Sequence, residues 1–61
     1  MKVKFELEKA WEVGRIRYAY ISNQKATEAL VVVRMDDGQW IDKEGRVYEF
    51  DWREGIMRQV Q

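Results

Sequence analysis

The 61 residues carry eleven basic and eleven acidic side chains and neither cysteine nor histidine. That composition excludes a disulfide framework, a Ser-His-Asp or Cys-His catalytic arrangement and a His-ligated metal site. At this length the chain is one domain near the lower limit for folding on its own core, with eight aromatics as its main supply of apolar surface.

Residues 3 to 13 alternate, with Val3, Phe5, Leu7, Trp11 and Val13 on odd positions and Lys2, Lys4, Glu6, Glu8 and Glu12 between them. This is the period-2 pattern of a strand with one buried face. After Gly14-Arg15 the apolar positions become even: Ile16, Tyr18 and Tyr20. A two-residue turn, with glycine supplying positive φ, predicts that switch and pairs Val13 with Ile16, Trp11 with Tyr18, Glu12 with Arg17 and Ala10 with Ala19. On this reading Trp11, Val13, Ile16 and Tyr18 face inward, and the Ala10-Ala19 and Glu12-Arg17 pairs face water. A helix over residues 8 to 21 would bury Gly14 at a cost of about 1 kcal/mol and place the aromatics in a poor period.

Residues 22 to 29 are polar at first and read as a connecting loop with room for one helical turn. Leu30 to Met35 is β-branched and short, a strand. Asp37-Gly38 suits a tight hairpin that would set Met35 opposite Trp40 and Arg34 opposite Ile41. A second turn at Asp42-Lys43-Glu44-Gly45, with Gly45 left-handed, brings Asp42 opposite Arg46, Ile41 opposite Val47 and Trp40 opposite Tyr48. A third at Arg53-Glu54-Gly55 returns Ile56 to Val60 as a last strand, with a terminal helix as the alternative. One face of this meander would then hold Val31, Val33, Met35, Trp40, Tyr48, Phe50 and Trp52. Its reverse would hold Leu30, Val32, Arg34, Ile41 and Val47.

Two β units, each apolar on one side, must cover each other. The expected product is an all-β domain over residues 1–61, an antiparallel meander closing into an SH3-like barrel or compact sandwich of five to six strands. No apolar run approaches the roughly 20 residues of a membrane span and no signal-peptide pattern opens the chain, so the reading is a soluble cytoplasmic protein without a membrane role. Residues 1–34 hold seven basic against four acidic side chains and residues 35–61 the reverse. The acids around Asp36, Asp37, Asp42 and Glu44, and around Glu49, Asp51 and Glu54, read as turn and edge solubility, since the calcium-loop spacing is not met. No metal or cofactor is expected.

Two binding roles remain. Leu30, Val32, Arg34, Ile41 and Val47 would form an apolar outer patch for a protein partner or for self-association. Alternatively, Trp11, Val13, Arg15, Ile16 and Arg17 would contact nucleic acid. Trp11-Glu12-Val13-Gly14-Arg15-Ile16 resembles the DNA-contacting hairpin of the small basic chromatin proteins of hyperthermophilic archaea, which are SH3-like barrels. That resemblance implies minor-groove contacts for Trp11, Val13 and Ile16. It spans these six residues, and the lysine-rich balance and C-terminal helix of that family have no counterpart here.

Overall fold

A computed structural model describes residues 4–25 and 27–60. Val3, expected to point inward, lies outside the described residues. The strands are β1 (Lys4–Val13), β2 (Ile16–Asn23), β3 (Glu28–Arg34), β4 (Trp40–Ile41), β5 (Val47–Asp51) and β6 (Ile56–Val60). Each pairs antiparallel with its neighbour in sequence, and β6 returns to β1, so the meander closes into a six-stranded barrel. No helix occurs among the described residues. Because strand direction alternates, turns 14–15, 35–39 and 52–55 share one end of the barrel, and turns 24–27 and 42–46 share the other.

The first hairpin has the expected register: Val13 opposite Ile16, Trp11 opposite Tyr18, Glu12 opposite Arg17 and Ala10 opposite Ala19. Gly14 sits at φ +62, as the tight turn demands. Which face points inward is the opposite of the sequence reading. Leu7 pairs with Ile21 but Lys9 pairs with Tyr20, so Glu8 is an extra residue in β1. A bulge of this kind turns every later side chain to the other face. Phe5 points into the core before it; after it Ala10 and Ala19 face inward while Trp11, Val13, Ile16 and Tyr18 face out. The Ser22 hydroxyl donates to the Glu8 carboxylate at 2.6 Å and holds the bulge residue in place.

The meander also differs from expectation at one turn. Met35 N–H donates to the Gln39 carbonyl (2.6 Å) and Gly38 N–H to the Met35 carbonyl (3.0 Å), which closes a three-residue loop over Asp36, Asp37 and Gly38. Arg34 therefore faces Trp40, and Val33 faces Ile41. A slip of one residue exchanges the two faces of a strand. Val32 and Leu30 consequently join Trp40 and Tyr48 on the inside, and Val31 and Val33 join Ile41 and Val47 outside. The later turns match the sequence reading: Trp40 opposite Tyr48, Ile41 opposite Val47, and residues 56–60 returning as a strand rather than a helix. Between β2 and β3 the chain needs only residues 24–27, where Thr27 N–H donates to the Gln24 carbonyl (3.2 Å), and the described residues of this connection are not helical.

The core comprises Phe5, Ala19, Ile21, Val32, Tyr48 and Met57, with Leu30 and Trp40 packed against it. The Phe5 and Tyr48 rings meet edge to face, 5.7 Å between centroids. Each fully buried Phe, Ile, Val or Met contributes on the order of 1.5–3 kcal/mol.

Candidate interaction surfaces

The barrel exterior is apolar on one side only. Following the register around the outside, Trp11 faces Tyr18, then Val33, Ile41, Val47 and Val60 in one continuous row. Tyr20 and Val31 form the next rung, and Val13 with Ile16 the rung at the hairpin tip. Val13, Ile16, Val31 and Tyr20 are 60%, 48%, 44% and 41% exposed. Trp11 stacks on Tyr18 with centroids 5.5 Å apart and planes at 12°, and the Lys9 ammonium lies 5.9 Å from the Trp11 ring centre. The remaining outer positions, from the start of β1 across β6 to β5, are Lys4, Glu6, Arg58, Glu49 and Asp51, with Ile56 as the one apolar residue among them.

The five residues expected to form one apolar patch are not together. Val32 has no exposed surface and Leu30 is packed against the core, so both are interior. Arg34 lies on the inward side of β3 at the barrel mouth, opposite Trp40. Ile41 and Val47 are outside, beside Val33. Of the nucleic-acid set, Trp11, Val13 and Ile16 share the outer face of the hairpin and Arg15 occupies its turn. Arg17 is on the opposite side with Glu12, their charges 3.9 Å apart and both largely exposed. An exposed pair at that distance contributes well under about 1 kcal/mol.

At the end of the barrel bearing turns 14–15, 35–39 and 52–55, the sheet is open. A cleft of about 560 Å³ lies there between the inward side of the first hairpin and Trp40, Phe50 and Met57. Beside it a smaller hollow of about 210 Å³ is ringed by Arg15, Arg17 and Arg34, with Met35 and Asp36. Arg17 and Arg34 border both cavities. From the sequence these three arginines can be expected to flank one open face, although Arg34 also belongs to the outer patch of that reading. The signal was present: in a meander the Gly14-Arg15 turn and the turn after Arg34 must share one end.

The turn acids have unequal roles. Asp42 is 7% exposed. One carboxylate oxygen accepts the backbone N–H groups of Glu44 (2.8 Å) and Arg46 (2.9 Å); the other accepts Arg46 Nε (2.7 Å) and the Tyr48 hydroxyl (2.9 Å). Burial pushes the Asp42 pKa up, but these four donors outweigh it and hold the carboxyl at about 2. Burial and the same carboxylate push the Tyr48 phenol up to about 12. Asp51 accepts from Arg58 Nη1 at 2.7 Å and its carboxyl is held low chiefly by that contact. Both acids fasten turns, and nothing in their placement points them at a substrate. No protein family, curated protein or solved structure matches this chain.

Proposed function

We propose that this chain is a binding module acting through protein contact, docking with the outer wall that carries Tyr18, Tyr20, Val31, Val33 and Ile41. The observation that supports this is the continuous apolar row across the exteriors of the first five strands, set against a charged wall on the far side. Single exposed apolar residues are ordinary, but a contiguous strip is the usual mark of an interface. Closure of the barrel makes this a contact of side chains on a sheet face. The simplest occupant is a second copy. Apolar strips related by a two-fold axis need no complementary charge, and a chain this short gains from covering what its small core leaves in water.

Sedimentation equilibrium from micromolar to millimolar protein, comparing wild type with Val31→Glu, tests the reading. Wild type should associate and the variant should stay monomeric with an unchanged circular dichroism spectrum. If wild type is monomeric throughout, and Val31→Glu loses no partner that wild type captures, the reading fails. The nucleic-acid alternative draws on the exposed Val13-Ile16 pair beside Arg15, while Arg17 on the opposite face and the even charge balance weigh against it. Retention on DNA that falls steeply with salt would favour that alternative, because phosphate contacts release counterions and an apolar strip does not.

A further inference from the structure

The open end of the barrel carries a second surface, built on the inward side of the first hairpin. Strand β1 pairs with β2 from Glu6 to Val13 but with β6 only from Lys4 to Glu6. Residues Lys9–Val13 therefore have one edge with no strand partner and no other backbone hydrogen bond among the described residues. Ala10, Trp11 and Glu12 all border the 560 Å³ cleft. Arg17, Tyr18 and Ala19 of the neighbouring strand β2 border it as well, so the cleft runs along the hairpin beside this unpaired edge.

The cleft is apolar within and basic at one end. Ala10 and Ala19 face each other across the hairpin and leave room that larger side chains would fill. Leu7 and Phe50, on inward positions, are each 37% exposed here because no seventh strand covers them. At the tip end stand Arg15, Arg17 and Arg34. Among the described residues Arg15 and Arg34 have no carboxylate within 4.0 Å, and Arg17 has only Glu12 at 3.9 Å.

We infer that this cleft is a docking groove for an extended peptide segment of a protein partner, apolar along its length and acidic at the end nearest the three arginines. The segment's backbone pairs with the free edge of Lys9–Val13, its alternate side chains enter the mouth over Ala10, and its carboxylates meet Arg15, Arg17 and Arg34. Strand addition derives affinity from main-chain hydrogen bonds and specificity from the pockets that receive alternate side chains. A polynucleotide fits less well. The arginines form one cluster rather than a track following successive phosphates.

The test uses the full chain labelled with nitrogen-15. The probe is a capped hexapeptide of alternating valine and threonine ending in two aspartates. Two further peptides are matched to it, one ending in two lysines and one N-methylated at alternate amides. The aspartate peptide should shift the amide signals of Lys9–Val13 saturably, the lysine peptide should bind about tenfold more weakly, and the N-methylated peptide should not bind. Arg34→Gln, at an exposed side chain, should weaken the aspartate peptide about fivefold and bind the lysine peptide no more weakly than wild type does. Four results each overturn the inference: no saturable shift at millimolar peptide, equal affinity for the lysine form, unimpaired binding of the N-methylated form, or shifts confined to Tyr20, Val31 and Ile41. An oligothymidylate that perturbs Lys9–Val13 with a steep salt slope also overturns it and assigns the cleft to nucleic acid.

Discussion

Asp42→Asn is the substitution whose consequences the structure fixes most closely. The amide keeps one oxygen for the Glu44 and Arg46 N–H groups but turns an NH₂ toward Arg46 Nε and the Tyr48 hydroxyl, where a carboxylate oxygen stood. Tyr48 can rotate its hydroxyl to accept; Arg46 has only donors and cannot. A carboxyl moved from 3.8 to about 2 contributes about 2 kcal/mol at roughly 1.36 kcal/mol per unit. A lost charge-assisted hydrogen bond agrees, at about 1.5–3 kcal/mol. For a domain of this length, total stability is on the order of 3–9 kcal/mol, so the variant forfeits about a fifth or more. Its melting temperature should fall by about 10–20 °C. Urea melts followed by circular dichroism, run from pH 7 down to pH 2, provide the measurement. The carboxyl is depressed in the folded state, so its contribution is complete above the unfolded pKa near 4 and disappears as pH falls through about 2. The difference between wild type and variant should therefore be constant above about pH 5, narrow below about pH 4 and vanish near pH 2. Asp51 is also held low but is present in both proteins, so the difference isolates Asp42. A gap below about 0.5 kcal/mol at pH 7, or one indifferent to pH, would refute the reasoning.

Other expectations are as sharp. Tyr48→Phe should cost about 1 kcal/mol at pH 7. It should also abolish a loss of stability that wild type shows between about pH 10 and 12, where the unfolded phenol ionises and the folded one does not, readable as the urea midpoint against pH. Deleting Glu8 removes the extra residue and leaves Lys9 outward, Ala10 inward and Trp11 outward in an unbroken strand, so the variant should still melt cooperatively; a chain that fails to fold would contradict the parity argument. Gly38→Ala places a Cβ at φ +92 and should cost about 1–2 kcal/mol, measured by urea denaturation, despite a nearest neighbour as far as 3.7 Å. Trp52 is 76% exposed with Arg53 over its ring, so Trp52→Phe should remove most acrylamide-quenchable fluorescence and change stability by less than about 0.5 kcal/mol.

The all-β meander, the pairing across Gly14-Arg15, the turns at 42–45 and 53–55 and the terminal strand were legible because glycine and aspartate mark turns by local chemistry. The buried side was legible for the start of β1, β4 and β5, where Phe5, Trp40 and Tyr48 face inward as expected, but not for the rest of β1, β2 and β3, and two single-residue events explain the difference. The first left a trace. The odd-position apolar series Phe5, Leu7, Trp11, Val13 has a gap at Lys9, and adjacent Glu8 and Lys9 break the alternation where β1 gains its extra residue. The second left none: Asp36-Asp37-Gly38 supports a two-residue or a three-residue loop equally, and only packing of Val32 against Tyr48 and Phe5 decides between them. The acid at position 42 was read as a turn residue, and it is one. Its burial could not be seen because the Tyr48 hydroxyl that meets it comes from the neighbouring strand, and that tyrosine's direction depends on the face assignment.

The neighbour-to-neighbour order of the strands has a kinetic consequence. Every pairing but one joins segments separated by a short turn, so the chain can assemble hairpin upon hairpin with little entropy spent on bringing distant parts together. The exception is the three-rung seam between β1 and β6, which must wait until the whole ribbon has curled. Docking Met57 beside Phe5 is then the closing event of folding and, in reverse, the first place where the ring comes undone.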